Sequence, residues 1–175
     1  VGVLGLQGAF REHREVLDAL GVATVEVRVP EHLSGIDALV LPGGESTTMT
    51  RLLETSGLRE PLVDRLRDGL QAFGTCAGLI LLAAEVRDGR ADQVPRGALG
   101  VAVRRNGYGR QRDSFEAVLT VTGLTGAGFP GVFIRAPVVE RVGPDVEVLA
   151  AQDDRPVLVR QGAVWASTFH PELSG

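Results

Sequence analysis

The sequence predicts an α/β fold, a three-layer α/β/α sandwich with a mixed, mostly parallel central sheet. Two observations carry this prediction. Short apolar runs alternate with amphipathic segments in the first half of the chain, and short strands separated by glycine, proline and aspartate follow in the second half. Uninterrupted apolar runs are typical of parallel strands, which are buried on both faces. No linker separates the halves, so we expect one domain over residues 1–175.

The first half of the chain is expected to supply the parallel strands and the helices that cover them. Residues 1–6 form an unbroken apolar run, and residues 11–20 carry apolar side chains at helical spacing before Gly21. The same criteria predict further strands at 24–29, 36–41 and 70–73, and helices at 49–53, 58–70 and 79–84.

The second half of the chain is predicted to be rich in strands and partly antiparallel. A short strand at 101–103 precedes a glycine-broken loop, and the texture changes from Phe115 onward. The strands predicted there are 116–122, 132–134, 146–151, 157–160 and 164–169.

Cys76 is the only cysteine, and it lies between a predicted strand and a predicted helix with Gly74 and Gly78 on either side. A nucleophile on such a turn is typical of hydrolases, and we expect the glycines to allow the tight turn and to leave room for substrate. The helix N-terminus favours a thiolate and offers N–H donors to an oxyanion. A lone cysteine is equally compatible with a small buried hydrophobic residue, so both interpretations stay open here.

Two more motifs follow predicted strands. Residues 42–48, Pro-Gly-Gly-Glu-Ser-Thr-Thr, fit either a turn with a Ser/Thr helix cap or a loop whose backbone approaches a ligand. His170, followed by Pro171 and Glu172, fits either a surface turn or a general base with a carboxylate that orients it. Strand ends from distant parts of the chain can meet in such sheets, so Cys76 and His170 are candidate partners.

The loop at 104–112 is basic and broken by glycine. It fits either a solvated charged loop or an arginine site for a carboxylate or phosphate. No metal site is expected, because neither His13 nor His32 has the spacing of metal ligands.

Composition excludes several classes of function. A net charge of −4 and a pI near 5.4 give no reason to expect nucleic acid or an anionic membrane surface as a partner. No apolar run reaches the roughly 20 residues of a membrane span. One cysteine cannot form an internal disulfide, which favours the cytoplasm. All 18 basic residues are arginine, which excludes a lysine Schiff base and a P-loop lysine.

Taken together, Pro42-Gly43-Gly44, residues 74–78 and His170-Pro171-Glu172 resemble, in this order, the motifs of the class I (triad) glutamine amidotransferases. The sequence resembles one family more closely, the glutaminase subunit of pyridoxal 5′-phosphate synthase. The stretches that carry this second resemblance are 5–9, 12–13, 42–49, 73–79, 105–106, 109–111, 113–116, 132–137 and 169–173.

The resemblance implies a flavodoxin-like, class I glutamine amidotransferase fold and a cytoplasmic glutaminase without cofactor or metal. Glutamine would be hydrolysed to glutamate and ammonia through a γ-glutamyl thioester, and a synthase subunit in a large hetero-oligomer would use the ammonia to make vitamin B6. It implies that Cys76 is the nucleophile, His170 the general acid and base, and Glu172 its orienting partner. It assigns the oxyanion hole to Gly44 and Ala77, and glutamine binding to Gly44, Glu45, Ser46, Arg105, Ile134 and Arg135.

Two other functions stay open at this point. One is a regulatory partner of the synthase without catalytic activity, and the other is a different cysteine hydrolase on the same fold. Members of the family continue beyond His-Pro-Glu into a C-terminal helix, whereas this sequence ends at Gly175. We therefore expect this helix to be absent from residues 1–175 and the face of the sheet that it covers to be exposed.

Overall fold

A seven-stranded sheet forms the centre of the molecule. The computed structural model describes residues 1–89, 97–105, 107, 114–126 and 128–174. Its helices are α1 (Phe10–Ala19), α2 (Ser46–Thr55), α3 (Arg59–Arg67) and α4 (Ala77–Leu82), with 3-10 turns at Pro30–Leu33 and Pro171–Leu173. Its strands are β1 (Gly2–Leu4), β2 (Val25–Val27), β3 (Ala38–Leu41), β4 (Gln71–Thr75), β5 (Ala83–Arg87), β6 (Leu99–Arg104), β7 (Ser114–Leu119), β8 (Phe129–Ile134), β9 (Val138–Val142), β10 (Glu147–Gln152), β11 (Arg155–Gln161) and β12 (Val164–Ser167).

The strand order of the central sheet is β10-β11-β12-β4-β3-β1-β2. Its pairings from β12 to β2 are parallel, and those of β10 with β11 and of β11 with β12 are antiparallel. The predicted mixed, mostly parallel sheet is thereby confirmed. Parallel register places the carboxyl ends of β1, β3, β4 and β12 at one edge, where ligands bind in open α/β sheets.

Helices cover the two faces of this sheet, because successive strand residues point to opposite sides. Ala72 of β4 belongs to the core that α2, α3 and α4 form with the sheet. Thr75, which points the other way, contacts His13 of α1 at 3.1 Å. An apolar groove of about 640 Å³ beside Phe73 and Trp165 lies on the same side as Thr75.

Two small sheets, β5-β6-β9 and β7-β8, complete the described part of the fold. Three predictions were wrong here. The helix predicted at 79–84 ends at Leu82, and the chain continues as β5; residues 87–89 are described, and 90–96 lie outside the described residues. Strand β9 was not predicted at all. Of the basic loop 104–112, only Arg104, Arg105 and Gly107 lie within the described residues.

Gly78 allows helix α4 to pack directly on β3. A Cβ atom at position 78 would overlap the carbonyl group of Leu41 and lie 2.8 Å from its carbonyl carbon. Because the obstacle is backbone inside the core, it cannot move aside cheaply. We expect Gly78→Ala to lower the free energy of unfolding by about 3 kcal/mol, the upper end for overpacked cores, as measured by urea denaturation.

Gly35 provides the matched control for this substitution. A Cβ atom there meets no atom within 4 Å, and the residue is exposed. Gly35→Ala should therefore change the unfolding free energy by no more than about 0.5 kcal/mol. Equal stability of the two variants would show that α4 and β3 can separate without cost, contrary to this account.

Candidate active site

Cys76 lies on a strained turn between β4 and α4. Its backbone has φ 48° and ψ −99°, a conformation that L-residues rarely adopt, and its N–H donates to Ser167 O at 2.8 Å. Gly74 and Gly78 have no such backbone. A Cβ on Gly74 would lie 2.6 Å from Gly78 C, so these glycines permit close packing of the strand and the helix. The prediction that they form the turn was wrong, because Cys76 itself carries the unusual φ.

His170 and Glu172 stand together beyond the end of β12. The imidazole Nδ1 is 2.7 Å from Glu172 Oε1, and the backbone N–H of His170 donates to Val132 O at 2.8 Å. Since Nδ1 is engaged by Glu172, Nε2 is the nitrogen left for the hydrogen bond with the Cys76 side chain. Burial lowers the pKa of His170, but the hydrogen bonds to Cys76 and Glu172 outweigh it and raise the pKa to about 10.

The loop after β3 is held by the loop after β1. Ala9 N–H donates to Gly43 O at 2.9 Å, and Glu45 N–H donates to Gln7 Oε1 at 2.8 Å. In a trans peptide the C=O and the next N–H point in opposite directions, so the N–H of Gly44 points away from Ala9. A Cβ atom on Gly43 would overlap the imidazole, 2.9 Å from His170 Nδ1. Glycine at position 43 therefore lets the loop lie against His170.

Glu45 caps helix α2 with its side chain. The carboxylate accepts hydrogen bonds from the N–H groups of Thr47 and Thr48, at 3.1 and 2.7 Å. Burial raises the pKa of Glu45, but these hydrogen bonds, with that of the Thr48 hydroxyl, outweigh it and lower the pKa to about 2. Arg105 Nη2 lies 3.0 Å from Glu45 Oε1. The carboxylate is therefore ionised and already engaged with Arg105.

A cavity of about 360 Å³ unites these groups, within the ordinary range of about 300–1,000 Å³ for small-molecule sites. All the predicted substrate-binding, oxyanion-hole and catalytic residues except Glu172 line it, and Glu172 is buried behind His170. The lining residues are Gln7, Gly44, Glu45, Ser46, Cys76, Ala77, Ile80, Arg105, Ile134, Arg135 and His170.

Gln7 and Ile80 line the cavity but were not predicted to do so. The position of Gln7 just after β1, at the carboxyl edge of the sheet, is the signal that could have indicated it. Ile80 lies one turn after Cys76 on α4, and nothing in its sequence context distinguishes it from a core residue.

Arg135 ends β8 on a second strained turn at the cavity, with φ 43°. Its side chain has no hydrogen-bond or ion-pair partner among the residues that the structure describes. Arg105, by contrast, donates to Thr47 Oγ1 at 3.1 Å in addition to its pairing with Glu45. The cavity thus presents one cation that is engaged by the protein and one that is open to a ligand.

A sequence model described as the SNO glutamine amidotransferase family matches residues 3–175. The chain belongs to this family. The resemblance predicted from the sequence motifs is thereby confirmed.

Relatives of this SNO glutamine amidotransferase include proteins named pyridoxal 5′-phosphate synthase subunit PdxT. That of Mycobacteroides abscessus is 56% identical over 175 residues, which cover 100% of this chain and 90% of the relative. That of Deinococcus radiodurans is 55% identical over 177 residues, with 99% and 90% covered.

Solved structures resemble the fold as a whole. A crystal structure titled glutamine amidotransferase matches with a TM-score of 0.93 and 53% identity, covering 99% of this chain and 90% of the other. A putative GMP synthase component from Thermoplasma acidophilum matches with a TM-score of 0.70 at 18% identity, covering 98% and 83%, and at that identity it supports the fold alone. The predicted class I glutamine amidotransferase fold is thus confirmed.

Proposed function

We propose that this chain hydrolyses the side-chain amide of L-glutamine to L-glutamate and ammonia, as the glutaminase subunit of a pyridoxal 5′-phosphate synthase. One observation carries the proposal. Cys76, on its strained turn, shares a cavity with His170, whose Nδ1 is 2.7 Å from Glu172 Oε1. The names of relatives that are 55–56% identical support the choice of synthase.

In the proposed reaction, the Cys76 thiolate adds to the side-chain amide carbon of glutamine, and negative charge moves to the amide oxygen. That oxygen is held by N–H groups of Gly44 and Ala77. Ala77 is the first residue of α4, so helix geometry leaves its N–H without an intrahelical acceptor. Losing one such donor typically slows catalysis by about 10²–10³-fold.

His170 moves the protons of the reaction. With its pKa near 10 it is protonated at neutral pH, so it donates a proton to the departing ammonia as the C–N bond breaks and the γ-glutamyl thioester remains on Cys76. Neutral His170 then takes a proton from the water that attacks the thioester carbon. The C–S bond breaks, glutamate leaves, and thiolate and imidazolium are restored.

The charged groups of glutamine find complementary partners at the mouth of the cavity. We assign the α-carboxylate to Arg135, because Arg105 is already paired with Glu45 at 3.0 Å. Ionised Glu45 attracts the α-ammonium group. Ser46 and Ile134 complete the walls around the substrate.

The proposal includes one domain over residues 1–175 and a cytoplasmic location, and the synthase subunit in a large hetero-oligomer is the partner that receives ammonia. Within the described ranges, the helices are too short or too polar to cross a membrane. The sequence holds no lysine for aldehyde chemistry, which supports a division of labour in which the partner carries out that step.

Glutamate release from glutamine, measured with and without the synthase subunit, tests the proposed function. We expect release that increases with the partner, and no release from asparagine, whose amide carbon lies one methylene short of Cys76. A folded protein that releases no glutamate in either condition would favour the regulatory interpretation. Equal rates with asparagine would favour a less selective cysteine hydrolase.

A further inference from the structure

The two carboxylate oxygens of Glu172 have different surroundings. Oε1 is engaged by His170 Nδ1 at 2.7 Å. Oε2 is buried and accepts no hydrogen bond within the described part of the chain. The side chain of Glu172 is 0% exposed. A buried carboxylate oxygen without a donor is costly, so a neighbouring N–H group is required.

His13, on helix α1, is placed to supply that group. Its Nε2 lies 3.3 Å from Glu172 Oε2 and 3.1 Å from Thr75 Oγ1. The imidazole is itself buried, with 6% of the residue exposed. Helix α1 thus reaches the triad from the opposite end of the sequence.

The charges around His13 favour a neutral ring. Burial lowers its pKa most strongly; Glu172 and Glu12 raise the pKa and His170 lowers it, and the net shift is downward. A neutral imidazole has one N–H. If Nε2 were the unprotonated nitrogen, its lone pair would face the Glu172 carboxylate at 3.3 Å. The Nε2–H tautomer, shared between Glu172 Oε2 and Thr75 Oγ1, avoids that repulsion.

We propose that His13 is a positioning residue of the active site, whose Nε2–H holds Glu172 Oε2 and thereby fixes the orientation of the His170 imidazole. The inference rests on the proposed glutaminase function. A neutral donor suits this role, because it satisfies the carboxylate without neutralising the charge that stabilises imidazolium at His170.

The test compares four variants in steady-state glutaminase assays of the full chain with the synthase subunit. His13→Leu removes the donor. His13→Gln places an amide N–H close to the position of Nε2, whereas His13→Asn reaches only the position of Nδ1. Thr75→Val removes the competing partner of His13 and leaves the contact with Glu172.

For His13→Leu we expect kcat to fall about tenfold to hundredfold, the range for losing a hydrogen bond to a charged group, with little change in KM. The acid limb of the kcat profile should move to higher pH, because a buried carboxylate that loses a donor is protonated more readily. His13→Gln should recover most of kcat and His13→Asn should not. Thr75→Val should keep the wild-type acid limb.

Wild-type kcat and pH profile in His13→Leu would overturn the inference while leaving the glutaminase function intact. The same shift of the acid limb in Thr75→Val would also overturn it, because the effect would then come from Thr75. If His13→Leu does not fold, as judged by circular dichroism, the comparison of His13→Gln with His13→Asn decides, and equal kcat values refute the role of Nε2. A wild-type protein that releases no glutamate would refute the proposed function itself.

Discussion

Cys76→Ala is expected to abolish glutamine hydrolysis, with a loss of at least about 10⁴-fold, the scale seen when a member of a hydrolase triad is removed. Cys76 is the only cysteine of the chain, so no other thiolate can form the thioester. The substitution keeps a Cβ at the residue with φ 48°, so the strain of the turn is unchanged and the fold should persist. Glutamate release by the complex with the synthase subunit measures the effect.

The control for Cys76→Ala is the activity of the same complex with ammonium in place of glutamine. That activity should stay at the wild-type level, because this chain is proposed only to generate ammonia. Cys76→Ser, which keeps the shape of the side chain with a weaker nucleophile, should behave like Cys76→Ala. Loss of the ammonium-dependent activity would contradict the division of labour, and glutamine-dependent activity without Cys76 would contradict its role.

The sequence was sufficient to predict most of the central sheet, since apolar periodicity reports burial directly. It was not sufficient for β5, because an unbroken apolar run passes from Leu82 into Ala83 without a glycine, proline or polar residue to mark the end of the helix. Strand β9 contains Glu140 and Arg141 and owes its conformation to pairing with distant β6. Such tertiary pairing overrides local propensity.

The candidate site could be predicted as far as it follows strand ends. Residues at the carboxyl ends of β3, β4 and β12 meet in the structure, as the parallel arrangement requires. The unusual φ of Cys76 carries no sequence signal, because it is imposed by the packing of Gly74 against Gly78. The contact between His13 and Glu172 also lacks one, since it depends on how α1 lies across the sheet.

His170→Asn is expected to reduce turnover of glutamine on the order of 10⁴-fold, somewhat less than the loss of the nucleophile. Asparagine retains an amide near the position of Nδ1, so the contact with Glu172 at 2.7 Å can persist while the titrating group disappears. Both the expulsion of ammonia and the hydrolysis of the thioester then lack a proton carrier. Steady-state glutamate release measures the loss.

The pH dependence separates this chemical role of His170 from a structural one. In the wild-type protein the pKa of His170 is raised to about 10, so imidazolium is present at neutral pH and is lost as the pH rises through that value. The activity should therefore decline on an alkaline limb near pH 10. In His170→Asn the residual activity should have no such limb, because asparagine does not titrate. Wild-type rates, or the same alkaline limb in this variant, would remove His170 from the proton transfers.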